Sequence, residues 1–99
     1  EQGEGYLVKR MTVLPDEILS LQSHNHRSEY WFVAEGVATV ECDTKTKLLS
    51  KHESTFIPLG AKHRLSNMGE EILKVIEVQV GDELREDDII RYEDRYDRN

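Results

Sequence analysis

A chain of 99 residues with 13 basic against 20 acidic side chains carries a net charge of −7, which repels phosphate backbones and anionic lipid and argues against nucleic acid or a membrane surface as partner. That length suits a single domain with a modest core, one that a second copy of the chain would help to stabilise. The single cysteine, Cys42, forbids an intramolecular disulfide, and no apolar run approaches the ~20 residues of a membrane span or the shape of a signal peptide, so the expected location is a reducing cytoplasm.

In chain order, short alternating segments separated by turn residues predict an antiparallel sandwich or barrel. "GYLVKRMTVLPD" sets Leu7, Lys9, Met11 and Val13 against Val8, Arg10 and Thr12, then stops at Pro15-Asp16. "EILSLQSHN" places Ile18, Ser20, Gln22 and His24 on one side and Leu19 and Leu21 on the other. "EYWFVAEGVATVEC" reads as two strands joined at Glu35-Gly36, where glycine supplies the positive φ of a tight turn. A polar strand pair, a short "TFI", the turn "PLG" and "KHRLSN" follow, and "EILKVIEVQVG" is the longest strand candidate, ending at Gly81. Beyond residue 82 the pattern changes. Ile89, Tyr92 and Tyr96 fall three and four apart, with acids early and arginines late, which predicts a short helix in a charged tail over 82–99; a frayed terminus is the alternative. No linker or repeat marks a second domain.

Chemistry concentrates in "LQSHNHRSEYW". A period of two aims Gln22, His24 and His26 to one side of a strand, Glu29 reaches the same interior from the next strand, and His63 follows the turn at Pro58 and Gly60. Imidazole, carboxylate and amide oxygen form a donor set for borderline divalent ions: zinc first, with cobalt, manganese, nickel and iron as alternatives. Arg27 and Arg64 offer rigid forks of donors for a phosphate or an oxyanion, or else pair with nearby carboxylates. His52 sits in polar loop sequence, where a solvated role is expected. Trp31, Phe32 and Phe56 are expected in the core or an interface. Apolar residues occupy both faces of "EYWFVA" and of "EILKVIEVQV", so a second surface is expected to be buried, most simply in a homodimer.

These residues resemble the two cupin motifs, G-x5-H-x-H-x3-4-E-x6-G over Asp16 to Gly36 and G-x5-P-x-G-x2-H-x3-N around Pro58 to Asn67. The first motif fits in the register that takes Gln22 and His24 as its histidine pair, so the resemblance nominates Gln22, His24, Glu29 and His63 as metal ligands and leaves His26 as an additional pocket residue. Asp16 and His52 stand where both motifs begin with glycine. More narrowly, "LSLQSHNHRSEYWFVAEGVATV", "FIPLGAKHRLSN" and "IEVQVGDELREDDIIRYEDRYDRN" resemble the cupin domain of type II mannose-6-phosphate isomerases, often the C-terminal part of bifunctional enzymes that also carry mannose-1-phosphate guanylyltransferase.

This resemblance implies an all-β fold of the cupin type, a double-stranded β-helix or jelly-roll barrel. It also implies a metal-dependent interconversion of mannose 6-phosphate and fructose 6-phosphate. In that reading His26 is the base, Arg27 and Arg64 clamp the phosphorylated sugar, and Glu77 and Gln79 line the pocket. Two other functions are compatible with the same fold: a non-catalytic cupin binding a sugar or sugar nucleotide, and an iron oxygenase.

Overall fold

The computed structural model describes residues 2–3, 5–82, 84 and 87–93. Among these residues ten strands form: β1 (Gln2–Gly3), β2 (Tyr6–Val13), β3 (Leu21–Ser23), β4 (Arg27–Glu35), β5 (Ala38–Cys42), β6 (Lys45–Leu49), β7 (Ser54–Ile57), β8 (His63–Ser66), β9 (Leu73–Gly81) and β10 (Ile90–Glu93). They make two five-stranded antiparallel sheets, ordered β1-β2-β9-β4-β7 and β10-β3-β8-β5-β6. Among the described residues no helix is long and apolar enough to cross a membrane.

Alternation decides what enters the space between the sheets. On the first sheet the inward positions run across the strands in rows: Leu7–Gln79–Glu29–Ile57, Lys9–Glu77–Trp31–Thr55, Met11–Val75–Val33 and Val13–Leu73. The second sheet contributes Arg91–Gln22–His63–Cys42–Lys45, Leu65–Val40–Lys47 and Ala38–Leu49. Val13, Val33, Ala38, Val40, Leu65, Leu73 and Val75, each at most 2% exposed, fill one end. Polar residues gather at the other.

The outer faces differ from each other. Tyr6, Tyr30, Phe32, Phe56 and Val80 lie 40–50% exposed on the outside of the first sheet, with Tyr30 and Phe56 rings 4.8 Å apart. The second sheet presents Glu41 beside Arg64 and Thr39 beside Ser66.

Two turns explain the motif positions that lack glycine. Asp16 and His52 have φ values of 69° and 76°, the left-handed conformation that glycine adopts without steric cost. Asp and His are among the side chains that tolerate it best. Gly36 has φ 82°, and a Cβ there would meet the Ile72 carbonyl oxygen at 2.8 Å, so both its conformation and its close approach exclude a side chain. Asn67, the last residue of the second motif, is fully buried and holds turns together: its Nδ2 donates to the carbonyls of Val13 (2.9 Å) and Glu71 (2.7 Å), and its Oδ1 accepts from Gly69 N–H at 3.0 Å.

The tail departs from expectation. Ile90–Glu93 is a strand antiparallel to β3, with Ile90 opposite Ser23 and Arg91 opposite Gln22, where spacing predicted a short helix. Pairing satisfies backbone groups that β3 would otherwise leave bare at a sheet edge, and tertiary contact overrides a local pattern. The Tyr92 hydroxyl hydrogen-bonds Ser23 Oγ at 2.8 Å, and the Lys62 ammonium sits 4.3 Å from the Tyr92 ring centroid. Tyr96 and the rest of 94–99, on which the helix also relied, lie outside the described residues.

Candidate metal centre

Strand β4 places Arg27, Glu29, Trp31 and Val33 inward by strict alternation, and all four are buried. Glu29 is held at both oxygens: Trp31 Nε1–H donates to Oε1 and Arg27 Nε–H donates to Oε2, each at 2.9 Å. Across the interior stand His24, just past the end of β3, and His63, the first residue of β8. His24 Nε2 is 3.2 Å from Glu29 Oε2, His63 Nε2 is 3.8 Å from Glu29 Oε1, and the two imidazole centroids are 5.1 Å apart. A ligand atom from each of the three residues lies within 4.8 Å of the others, and all three residues are buried.

The hydrogen bonds on the far side of each ring fix which nitrogen faces inward. His63 Nδ1–H donates to the Ala61 carbonyl at 3.0 Å, so Nε2 turns its lone pair to the cluster. That Nε2 is buried with no hydrogen-bond partner among the described residues. His24 Nδ1–H donates to the Asp88 carbonyl, which likewise leaves Nε2 as an acceptor. Two imidazole nitrogens and a carboxylate converge here, one nitrogen orphaned, in a donor set suited to a cation. The 3.2 and 3.8 Å separations from Glu29 to the two imidazole nitrogens are close to the ~3.4 Å edge of a tetrahedron built on ~2.1 Å metal–ligand bonds. The residues therefore fit a divalent ion.

Electrostatics agree. Burial pushes the His63 imidazole below its ordinary pKa, against the opposing pull of the Glu29 carboxylate and the bond to Ala61. A neutral ring is what ligation requires. Arg27 is part of the same cluster, because its Nη2 donates to His24 Nε2 at 3.2 Å. The guanidinium thus neutralises Glu29 and competes with an ion for His24, so the ion pair foreseen as one alternative for Arg27 is present.

The other residues singled out in the sequence separate into two groups. Gln22 is the cross-strand partner of His63 and shares its face, half-buried. Glu77 and Gln79 are buried in the inward rows beside Trp31 and Glu29, and the Gln79 amide donates to the Glu77 carboxylate. Burial and the nearby Glu29 charge raise the Glu77 carboxyl above its usual range.

His26 and Arg64 do not join them. Strand β3 stops at Ser23, and Asn25 and His26 form a bend, so the period of two does not carry His26 inward; its side chain is 47% exposed and lies 3.8 Å from Asp82. Arg64 follows His63 in β8, and alternation turns it to the outer face, where Nε–H donates to the Leu19 carbonyl at 2.9 Å across from Glu41. Neither side chain therefore reaches the cluster of His24, Glu29 and His63.

Three participants went unnoticed. Asp88 orients His24 through its carbonyl, while its carboxylate accepts the N–H groups of Asn25 and His26 at 2.9 Å each. Burial acts upward on that carboxyl, but these two N–H bonds and the adjoining histidines hold it below the usual carboxylate range. The tail segment that holds Asp88 was part of the family resemblance, but reading it as a helix gave Asp88 no partner. Trp31, two residues from Glu29 on one strand, was legible from period alone; Lys9, inward beside Glu77, was legible from the alternation of β2.

Comparison with known proteins matches residues 1–94 to the family model described as mannose-6-phosphate isomerase, C-terminal. Mannose-1-phosphate guanylyltransferase ManC of Salmonella typhimurium is 52% identical over 98 residues, covering 99% of this chain and 20% of that protein. Alginate biosynthesis protein AlgA of Pseudomonas aeruginosa is 51% identical over 98 residues, again 99% of this chain and 20% of that protein. The chain thus spans about a fifth of the length of the curated relatives it matches.

Solved structures agree on the fold. A conserved protein with a double-stranded β-helix domain from Klebsiella pneumoniae superposes with a TM-score of 0.81 at 17% identity, over 94% of this chain and 79% of that one. A predicted oxalate decarboxylase from Thermotoga maritima gives 0.72 at 21%, over 76% and 65%. The fold is the cupin double-stranded β-helix, and the chain belongs to the mannose-6-phosphate isomerase C-terminal domain family.

Proposed function

We propose that this domain interconverts mannose 6-phosphate and fructose 6-phosphate with a divalent ion held by His24, Glu29 and His63, and with Gln22 as fourth ligand. The observation that carries this reading is the buried convergence of those three side chains around an orphaned His63 Nε2, in a chain of this family. When bound, the ion supplies Lewis acidity to the carbonyl and hydroxyl oxygens of the sugar. The protein's own groups do the rest. The Ala61 and Asp88 carbonyls fix the imidazole tautomers, and Trp31 fixes Glu29. Arg27, bonded to His24 and Glu29, is the cation of the cluster and would favour charge developing on the sugar oxygens. Moving a proton between C1 and C2 needs an interior base, and Glu77 takes that role in place of the exposed His26, since its carboxylate faces the interior and has no ligand duty.

A coupled assay of fructose 6-phosphate formation tests this, with zinc, cobalt or manganese added, with chelator, and with Glu77→Gln. Metal-dependent turnover is expected, abolished by chelator and lowered about 10²- to 10⁴-fold in the variant. Absence of turnover with every metal sinks the isomerase reading. Oxygen uptake dependent on ferrous iron would favour the oxygenase alternative.

We also propose that the apolar outer face of the first sheet pairs two copies of the chain. Four half-exposed aromatics and their valine neighbours offer on the order of 600 Å² per copy, so pairing buries about 1,200 Å², the lower end of stable interfaces. Arg10 is the charge among the face's central rows, so identical faces meet with little repulsion. Light scattering should show a dimer for the native chain and a monomer for Tyr30→Lys; a monomer at all concentrations for both overturns the pairing.

A further inference from the structure

Strand β6 ends one sheet and β7 ends the other, and no hydrogen-bonded ladder joins them. The gap holds a cavity of about 380 Å³ lined by Val40, Cys42, Lys45, Lys47, Thr55 and Phe56, among others. Its position relative to the metal cluster follows from register. Cys42 is the cross-strand partner of His63 on one side and of Lys45 on the other, and Val40 is the partner of Lys47. Alternation therefore puts both lysines on the core-facing side of β6, Lys45 in the row of His63 and Lys47 in the row of Leu65, and both side chains are exposed.

The charge of this cavity runs against that of the chain. In a protein of net charge −7, the cavity's charged lining is Lys45, Lys47 and one carboxylate, Asp43, whose Oδ1 already accepts the Lys62 N–H at 3.0 Å. Burial raises the Cys42 thiol and Asp43 adds to that, while Lys47 and Lys45 pull it down, so both ammonium groups act on Cys42. Two cations on an edge strand also discourage edge-to-edge pairing, but that duty does not need them to line a cavity beside Cys42, the cross-strand partner of His63. Across two strand spacings, roughly 10 Å, lie the His63 and Lys45 backbones. An extended six-carbon sugar whose first two carbons face the cluster carries its terminal group a comparable distance.

We propose that this cavity is the subsite for the phosphorylated end of the substrate, with Lys45 and Lys47 binding the phosphate. The inference rests on the isomerase reading above for the identity of the sugar. It names a contact for phosphate that Arg64, on the outer face, does not provide.

Amide NMR titrations test it without turnover, using mannose 6-phosphate, mannose and inorganic phosphate as probes. Mannose 6-phosphate and phosphate should shift residues 42–47 and 55–58, mannose should do so far more weakly, and Lys45→Gln/Lys47→Gln should weaken both phosphorylated probes at least about tenfold. Where turnover is observed, the same variant should raise KM by more than it lowers kcat, and Lys45→Arg/Lys47→Arg, which keeps both charges, should restore KM. Unchanged phosphate affinity in the glutamine variant, or shifts confined to other residues, overturns the subsite. Loss of turnover in the native protein together with phosphate shifts in this cavity would sink the isomerase and leave the anion site standing.

Discussion

The two ends of the barrel interior use the same alternation for opposite purposes. At one end the inward rows are Met11–Val75–Val33 and Val13–Leu73, closed by Leu65, Val40 and Ala38 from the facing sheet. At the other, the same strands contribute Glu29, Glu77, Gln79, Lys9 and Trp31, facing Gln22, His63 and Cys42. Strand β4 crosses from one regime to the other within four residues, from Glu29 to Val33. The apolar end gains stability from area removed from water. The polar end holds two carboxyls and two imidazoles away from solvent, which costs stability unless they are paired or bind an ion. The apolar half thus supports the other's chemistry, and changes at the two ends should separate.

The largest expected effect tests that separation directly. Leu73→Ala, at a fully buried site, should lower unfolding free energy by about 2–5 kcal/mol, yet leave metal affinity of the folded fraction unchanged. His63→Ala should do the reverse, lowering metal affinity on the order of 10²-fold or more with a small change in metal-free stability. Thermal denaturation and cobalt titration of both variants measure the crossing; a Leu73→Ala protein that loses metal with stability intact would erase the distinction between the ends.

The smallest expected effect lies in the turns that frame both ends. Asp16→Gly and His52→Gly relieve left-handed backbone and should each stabilise the chain by up to about 1 kcal/mol, read by urea denaturation. Destabilisation by His52→Gly would show that its stacking on Phe32, at 6.3 Å between ring centroids, outweighs the strain.

Sequence spacing read the barrel well because a period of two is a local property. The segments "EYWFVA" and "EILKVIEVQV" are strands, as the sequence predicts, and the turn at Gly36 needed only the positive φ of its glycine. The same reasoning failed at His26, because a strand's period ends where the strand ends, and a bend at Asn25 is not written in the pattern. It failed at Arg64 for the converse reason: the clamp role ignored the alternation that β8 obeys.

What the sequence determined by itself was most of the strands between Tyr6 and Gly81 and the donor types, since each follows from neighbours a few positions apart. Which atoms meet was decided only by the tertiary structure. Asp88 reaches His24 from 64 residues away, Trp31 and Arg27 divide the oxygens of Glu29, and Ile90–Glu93 becomes a strand because β3 offers it an unpaired edge. Those choices depend on satisfying buried polar groups across long loops, and no local pattern encodes the partner of a group that far along the chain.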